Sequence, residues 1–130
     1  MQFIYIVGAA LLLIASSVNA AEDCSLKPNE RSLQLCIIDN YKEADTNLNA
    51  VYSELVKLLA DPTLLRKAQR AWIAYRDAEC TFVTSDDHSI LGSGWFRGCA
   101  EEKTLARIKV LKEHLDNAKS ECSQCPQIKH

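Results

Sequence analysis

The stretch from Ala68 to Cys80, AQRAWIAYRDAEC, sets Gln69, Trp72, Tyr75, Arg76, Asp77, Glu79 and Cys80 among alanines. An amide, a guanidinium, two carboxylates and a thiol on so short a run can act as an acid–base site, a binding surface, or a hydrogen-bonded network that fixes helices against one another. Catalysis requires a nucleophile, or a base of matched pKa beside a cleft, and no residue stands out in that role. Asp45 and Asp77 are the candidate acid or base groups. An arginine partner, however, favours a carboxylate as a fixed ion over one poised to exchange a proton. The chain is therefore expected to be no enzyme.

The spacing favours the network. Asp45, Asn49 and Tyr52 lie 4 and 3 residues apart and share a helix face, as do Gln69, Trp72 and Arg76. If these faces meet Thr104 and Arg107 further along the chain, carboxylates, amides and guanidinium groups satisfy one another inside a bundle. Asp45, Asn49, Gln69, Arg76, Asp77 and Arg107 are thus expected to form a structural polar network that sets helix register.

Cys122 and Cys125 form a CxxC pair. A redox pair needs a lowered thiol pKa, typically at a helix N-terminus, and these cysteines follow a helix C-terminus instead. With His114 and His130 they supply a conceivable zinc site, yet one CxxC is half of such a site and an exported chain oxidises readily. A local disulfide is the preferred reading, with no metal and no cofactor.

The elements that must position these groups can be read from the rest of the chain. Its 130 residues are 48% hydrophobic, which suits one domain with a modest core. An apolar run from Phe3 to Ala15 is followed by small and polar residues ending in Val18-Asn19-Ala20, the small-x-small pattern of a signal-peptidase site. Residues 1–20 are expected to be a cleaved signal peptide and residues 21–130 the mature domain, without stable membrane insertion after cleavage. Because no lysine or arginine precedes the apolar run, an uncleaved anchor is the alternative. Lipid attachment at Cys24 is disfavoured by Glu22 and Asp23. The net charge of -2 argues against nucleic acid as a partner.

Tyr41, Ala44, Leu48, Val51, Leu55 and Leu58 recur at steps of 3 and 4 and predict a long amphipathic helix from about Ser32, widened by Tyr52 and Leu59. Asp61 and Pro62 punctuate a tight turn and start a second helix. Its inner stripe is expected to be Leu65, Ala68, Trp72, Tyr75 and Phe82. A loop from about Ser85 to Gly94 follows. A third helix begins near Trp95 or Phe96, carries Cys99, Thr104, Ile108, Leu111, Leu115 and Ala118 on one face, and ends around Pro126. Three such helices bury their stripes only against one another, which makes the chain all-α, a small antiparallel three-helix bundle crosslinked by disulfides.

All six cysteines follow the signal segment, and an even number in a small exported chain suggests disulfides. The simplest set joins Cys24 to Cys36, Cys80 to Cys99, and Cys122 to Cys125. Closing a loop of about 20 residues removes unfolded-state entropy worth roughly 3 kcal/mol.

The segments YKEADTNLNAVYSEL and LLRKAQRAWIAYRDAEC, followed by Cys99, Thr104, Arg107 and Leu111, resemble the small exported domain of the LprI-like lysozyme-inhibitor family. The motif residues fall on Asp45, Leu48, Asn49, Tyr52, Gln69, Ala71, Trp72, Tyr75, Arg76, Asp77, Cys80, Cys99, Thr104 and Arg107, and the likeness runs from about Cys24 to Leu115. It implies an exported, periplasmic or secreted helical domain with disulfides that inhibits a lysozyme by protein–protein contact. The Cys122–Pro126 tail and the loop sequence depart from the pattern. On that reading, Asp86, Asp87, His88, Ser89 and Trp95 form the expected partner-binding loop: a pinned segment enters a cleft at low ordering cost. His88 or Ser89 can hydrogen-bond the carboxylates of a lysozyme groove while Asp86 and Asp87 steer towards its positive rim. The alternatives are an envelope structural or stress-related factor, or a metal-binding protein, with no lysozyme affinity.

Overall fold

The computed structural model describes residues 21–85 and 92–120. After a 3-10 turn at Cys24–Leu26 come three helices, α1 (Glu30–Leu58), α2 (Thr63–Val83) and α3 (Gly92–Lys119). The starts of α1 and α2 have local causes. Asn29 accepts a hydrogen bond from the Ser32 amide at 2.9 Å while the Ser32 hydroxyl accepts from the Asn29 amide at 3.4 Å. This reciprocal cap starts α1 two residues before the expected Ser32. Asp61 caps α2 by accepting from the Thr63 amide at 2.9 Å, with Pro62 between them.

The chain runs up, down and up. Gly98 lies against Ile37, and Lys119 pairs with Glu54 at 2.7 Å, so α1 and α3 run in the same direction. Bonds from Arg107 to Gln69 and between Cys80 and Cys99 make α2 antiparallel to α3. The closest pairing is between α1 and α3, which are not neighbours in sequence. Leu48, Leu55 and Leu59 of the first half meet Ile108, Leu111, Leu115 and Ala118 of α3, with Leu65 and Trp72 of α2 packed against them. Ala44 and Ala100, in the other halves of these helices, are buried as well. The stripes expected on α1 and α3 thus supply the core.

On α2 the expected inner stripe is corrected. Ala68, Tyr75 and Phe82 are exposed, and the buried line is Gln69, Arg76 and Cys80, with Leu65 and Trp72 half-buried beside it. The helix turns its polar residues inwards because each finds partners there and because the Cys80 crosslink fixes the rotation. Tyr75 accordingly packs against the Lys103 ammonium, 5.3 Å from the ring centroid, and not into the core.

The third helix starts at Gly92, three residues before Trp95, since Gly94 is held against Gln34 and Cys99 is tied to α2. Tertiary contact overrides the poor helix propensity of the Gly-Ser-Gly run. The crosslinks Cys24–Cys36 and Cys80–Cys99 are formed, with Cα separations of 5.7 and 5.6 Å. The first ties down an arm that is also held by Asn40, whose amide bonds both the N–H and the C=O of Glu22 at 3.1 and 2.8 Å. The pair Cys122 and Cys125 lies outside the described residues.

Candidate functional site

The polar residues of α2 gather in the seam where it lies against α1 and α3. Arg76 sits at the centre, with 8% of its side chain exposed. Its Nε donates to Asp77 Oδ1 at 2.8 Å, and one terminal nitrogen donates to the Thr104 hydroxyl at 3.4 Å and lies 3.7 Å from Asp45 Oδ1. The same guanidinium lies 5.2 Å from the Trp72 ring centroid and 5.8 Å from that of Tyr41. A guanidinium is suited to this place because its planar fork serves several acceptors while its faces stack on aromatic rings.

Thr104 is fully buried and donates its own hydroxyl proton to the Ala100 carbonyl at 2.6 Å. One turn along α3, Arg107 Nε donates to the buried amide oxygen of Gln69 at 3.1 Å, and its guanidinium lies 5.8 Å from the Trp72 ring. Burial lowers the Arg107 pKa from its ordinary value, as desolvation of a cation must. Trp72 therefore packs beside two cations. Asn49 reaches the seam only through Asp45, whose Oδ2 it bonds at 3.2 Å from an exposed position on α1. No buried side-chain nitrogen or oxygen among the described residues lacks a hydrogen bond.

This arrangement brings Asp45, Gln69, Arg76, Asp77 and Arg107 together, with Asn49 at the edge. Its chemistry is that of a satisfied ion network. Both carboxylates near the seam are committed to Arg76, and among the described residues no three His, Cys, Asp or Glu side chains are grouped to hold a metal.

At the opposite end from the α2–α3 loop, a groove of about 310 Å³ opens between the last turn of α1, the first turn of α2 and α3. Leu59, Leu64 and Leu65 form its wall, and Arg107 and His114 its polar side. Its lining comes from three chain segments, with Leu64 and Leu65 just after the Asp61-Pro62 turn and Arg107 and His114 at i and i+7 on α3, so no local stretch of sequence marks it.

Of the expected partner-binding loop, Asp86, Asp87, His88 and Ser89 lie outside the described residues. Trp95 is in the first turn of α3 with half its surface exposed. The Cys80–Cys99 bond draws the two ends of this segment together. No helix among the described residues is long and apolar enough to cross a membrane.

A family model described as lysozyme inhibitor LprI matches residues 22–111. An uncharacterized protein of Rhizobium meliloti (strain 1021) is 30% identical over 129 aligned positions, covering 85% of this chain and 93% of that protein. The uncharacterized protein YecT of Escherichia coli (strain K12) is 26% identical over 88 positions, covering 54% of each chain. No solved structure matches.

Proposed function

We propose, from the premise that this chain belongs to the lysozyme inhibitor LprI family, that it is an exported, non-enzymatic binding protein that blocks a lysozyme by protein–protein contact. The observation that carries this reading is the reach of the family match, which takes in α1, α2 and most of α3. The commitment of Asp45 and Asp77 to Arg76 supports a structural role for the polar seam and binding elsewhere.

Export is supported by the apolar N-terminal segment with its small-residue end, residues 1–20 being read as the signal, and by the disulfides Cys24–Cys36 and Cys80–Cys99, which persist in oxidising compartments. The protein then works in the periplasm or outside the cell. Contact with lysozyme is assigned to Asp86, Asp87, His88, Ser89 and Trp95, on a segment whose ends the Cys80–Cys99 bond pins together. Pinning reduces the ordering cost of entering a cleft.

The test is residual activity of a chicken-type lysozyme on suspended cell walls, titrated with the oxidised chain from Ala21 to His130. Stoichiometric loss of activity is expected. Full activity at large molar excess would sink the inhibitor reading. The loop has its own test: if simultaneous replacement of Asp86, Asp87 and His88 by alanine leaves lysozyme binding intact, the contact lies elsewhere.

A further inference from the structure

Among the described residues, none packs over the outward side of α2. Leu64, Ala71, Tyr75, Ala78 and Phe82 follow one another at steps of 7, 4, 3 and 4, so they form one stripe, and all are exposed. Leu64 and Phe82 leave 78% and 74% of their surface in solvent and Tyr75 leaves 55%. Scattered exposed leucines need no explanation, but an aligned row at both ends and the middle of one helix does.

Cations border the stripe. Lys67 and Arg70 are exposed on its solvent flank, and Lys103 of α3 reaches over the Tyr75 ring on the other. The acids of α2 are two: Asp77, engaged by Arg76, and Glu79, half-buried. This face is therefore basic on a chain whose net charge is -2.

We infer that the outer face of α2 docks the protein on an anionic lipid surface, with Leu64, Tyr75 and Phe82 entering the headgroup boundary and Lys67, Arg70 and Lys103 meeting lipid phosphates. A helix lying in the interface needs this combination of an apolar row and flanking cations. A second copy of the chain fits less well. The stripe is about 27 Å long and about 10 Å wide, so two such faces bury about 500 Å², short of the roughly 1,000 Å² of a stable interface. Self-pairing also brings cations towards cations. A basic lysozyme meets the same repulsion here. The inference rests on the export reading only for the choice of membrane.

The experiment is co-sedimentation of the exported chain, residues 21–130, with vesicles of phosphatidylethanolamine containing about one-third phosphatidylglycerol, against vesicles of phosphatidylcholine. Binding to the anionic vesicles is expected to exceed binding to the neutral ones by tenfold or more, on the order of fivefold for each cation engaged. Lys67→Glu with Arg70→Glu should abolish the difference, and Leu64→Ser with Phe82→Ser should lower binding to both. All four positions are exposed, so unchanged circular dichroism is expected. Equal binding to both vesicle types, or binding untouched by either double variant, overturns the proposal. A concentration-dependent dimer lost in Phe82→Ser, without vesicle binding, assigns the face to a second copy and overturns it too. Lysozyme inhibition measured on the same variants should be unchanged. Its loss with vesicle binding intact would make this face the inhibitory one and overturn the lipid assignment.

Discussion

Arg76 on α2 and Thr104 on α3 share one hydrogen bond across 28 residues of sequence, at 3.4 Å between the guanidinium nitrogen and the hydroxyl oxygen. The hydroxyl accepts from the arginine and donates its own hydrogen bond to the Ala100 carbonyl at 2.6 Å. A buried cation is thus joined to the backbone of the neighbouring helix through one side chain.

Replacing Arg76 with methionine keeps much of the stem but leaves Asp45 and Asp77 without their cation and Thr104 without a donor. Because both carboxylates are nearly half exposed, the loss should fall below the roughly 3–5 kcal/mol of a fully buried broken pair, at about 2 kcal/mol. Thr104→Val, which removes both the acceptor for Arg76 and the donor to the Ala100 carbonyl, should cost about 1–2 kcal/mol. Urea unfolding at neutral pH measures both, and an Arg76→Met variant as stable as the parent would dismiss the network as a source of stability.

The Cys80–Cys99 bond closes a separation of 19 residues and the Cys24–Cys36 bond one of 12. In the chain-entropy description each is worth about 3 kcal/mol, the longer loop slightly more. The Cys80→Ser, Cys99→Ser variant should therefore melt well below the parent by calorimetry. It should also free α2 to rotate, because the crosslink is one of the constraints that holds its polar line inwards.

Two acids should respond to pH with opposite signs. The bond from Thr63 lowers the Asp61 pKa from 3.8, so its stabilisation is complete above that value and fades as pH falls through the depressed one. Asp61→Asn should be less stable than the parent at pH 7, and the gap should close in acid. Burial raises the Glu101 pKa from 4.5, which penalises folding once pH rises through that range. Glu101→Gln should be the more stable form at pH 7, with the advantage vanishing below about pH 4.5. Thermal melts from pH 3 to pH 7 check both, and parallel shifts of the two variants would refute the assignment.

Trp95 offers a half-exposed aromatic side chain at the edge of the proposed lysozyme contact. Its replacement by alanine should weaken inhibition by about tenfold or more while the melting temperature changes little, as for an interface anchor. A variant that melts much earlier but inhibits in proportion to its folded fraction would show Trp95 to be structural.

The fold was legible where apolar residues alone set the helix face. The stripe with Ala44, Leu48 and Leu55 on α1 and that with Ile108, Leu111 and Leu115 on α3 needed only their spacing. On α2 the same spacing points to Leu65, Ala68, Trp72, Tyr75 and Phe82, of which only Leu65 and Trp72 pack against the core, because a hydrophobicity pattern has no way to rank a buried arginine above an exposed phenylalanine. The rotation of that helix depends on partners more than 25 residues away, namely Thr104, Arg107 and Asp45. The polar seam was legible as a set of residue types, while its hub, Arg76, emerged only from the geometry. The groove beside Arg107 and His114 depends on three chain segments and has no local signature.

The uneven attachment of the three helices has a consequence for how the molecule opens. Leucines and isoleucine join α1 to α3 along half their length, whereas α2 is held by a seam of hydrogen bonds, two partly buried apolar side chains and one crosslink at its far end. Apolar area resists local unfolding more than a seam of polar bonds that water can replace. The amides of α2 should therefore exchange with solvent through partial detachment, swinging about Cys80, while those of α1 and α3 exchange only when the whole domain unfolds. The protein would then behave as a rigid helical pair carrying a tethered third arm.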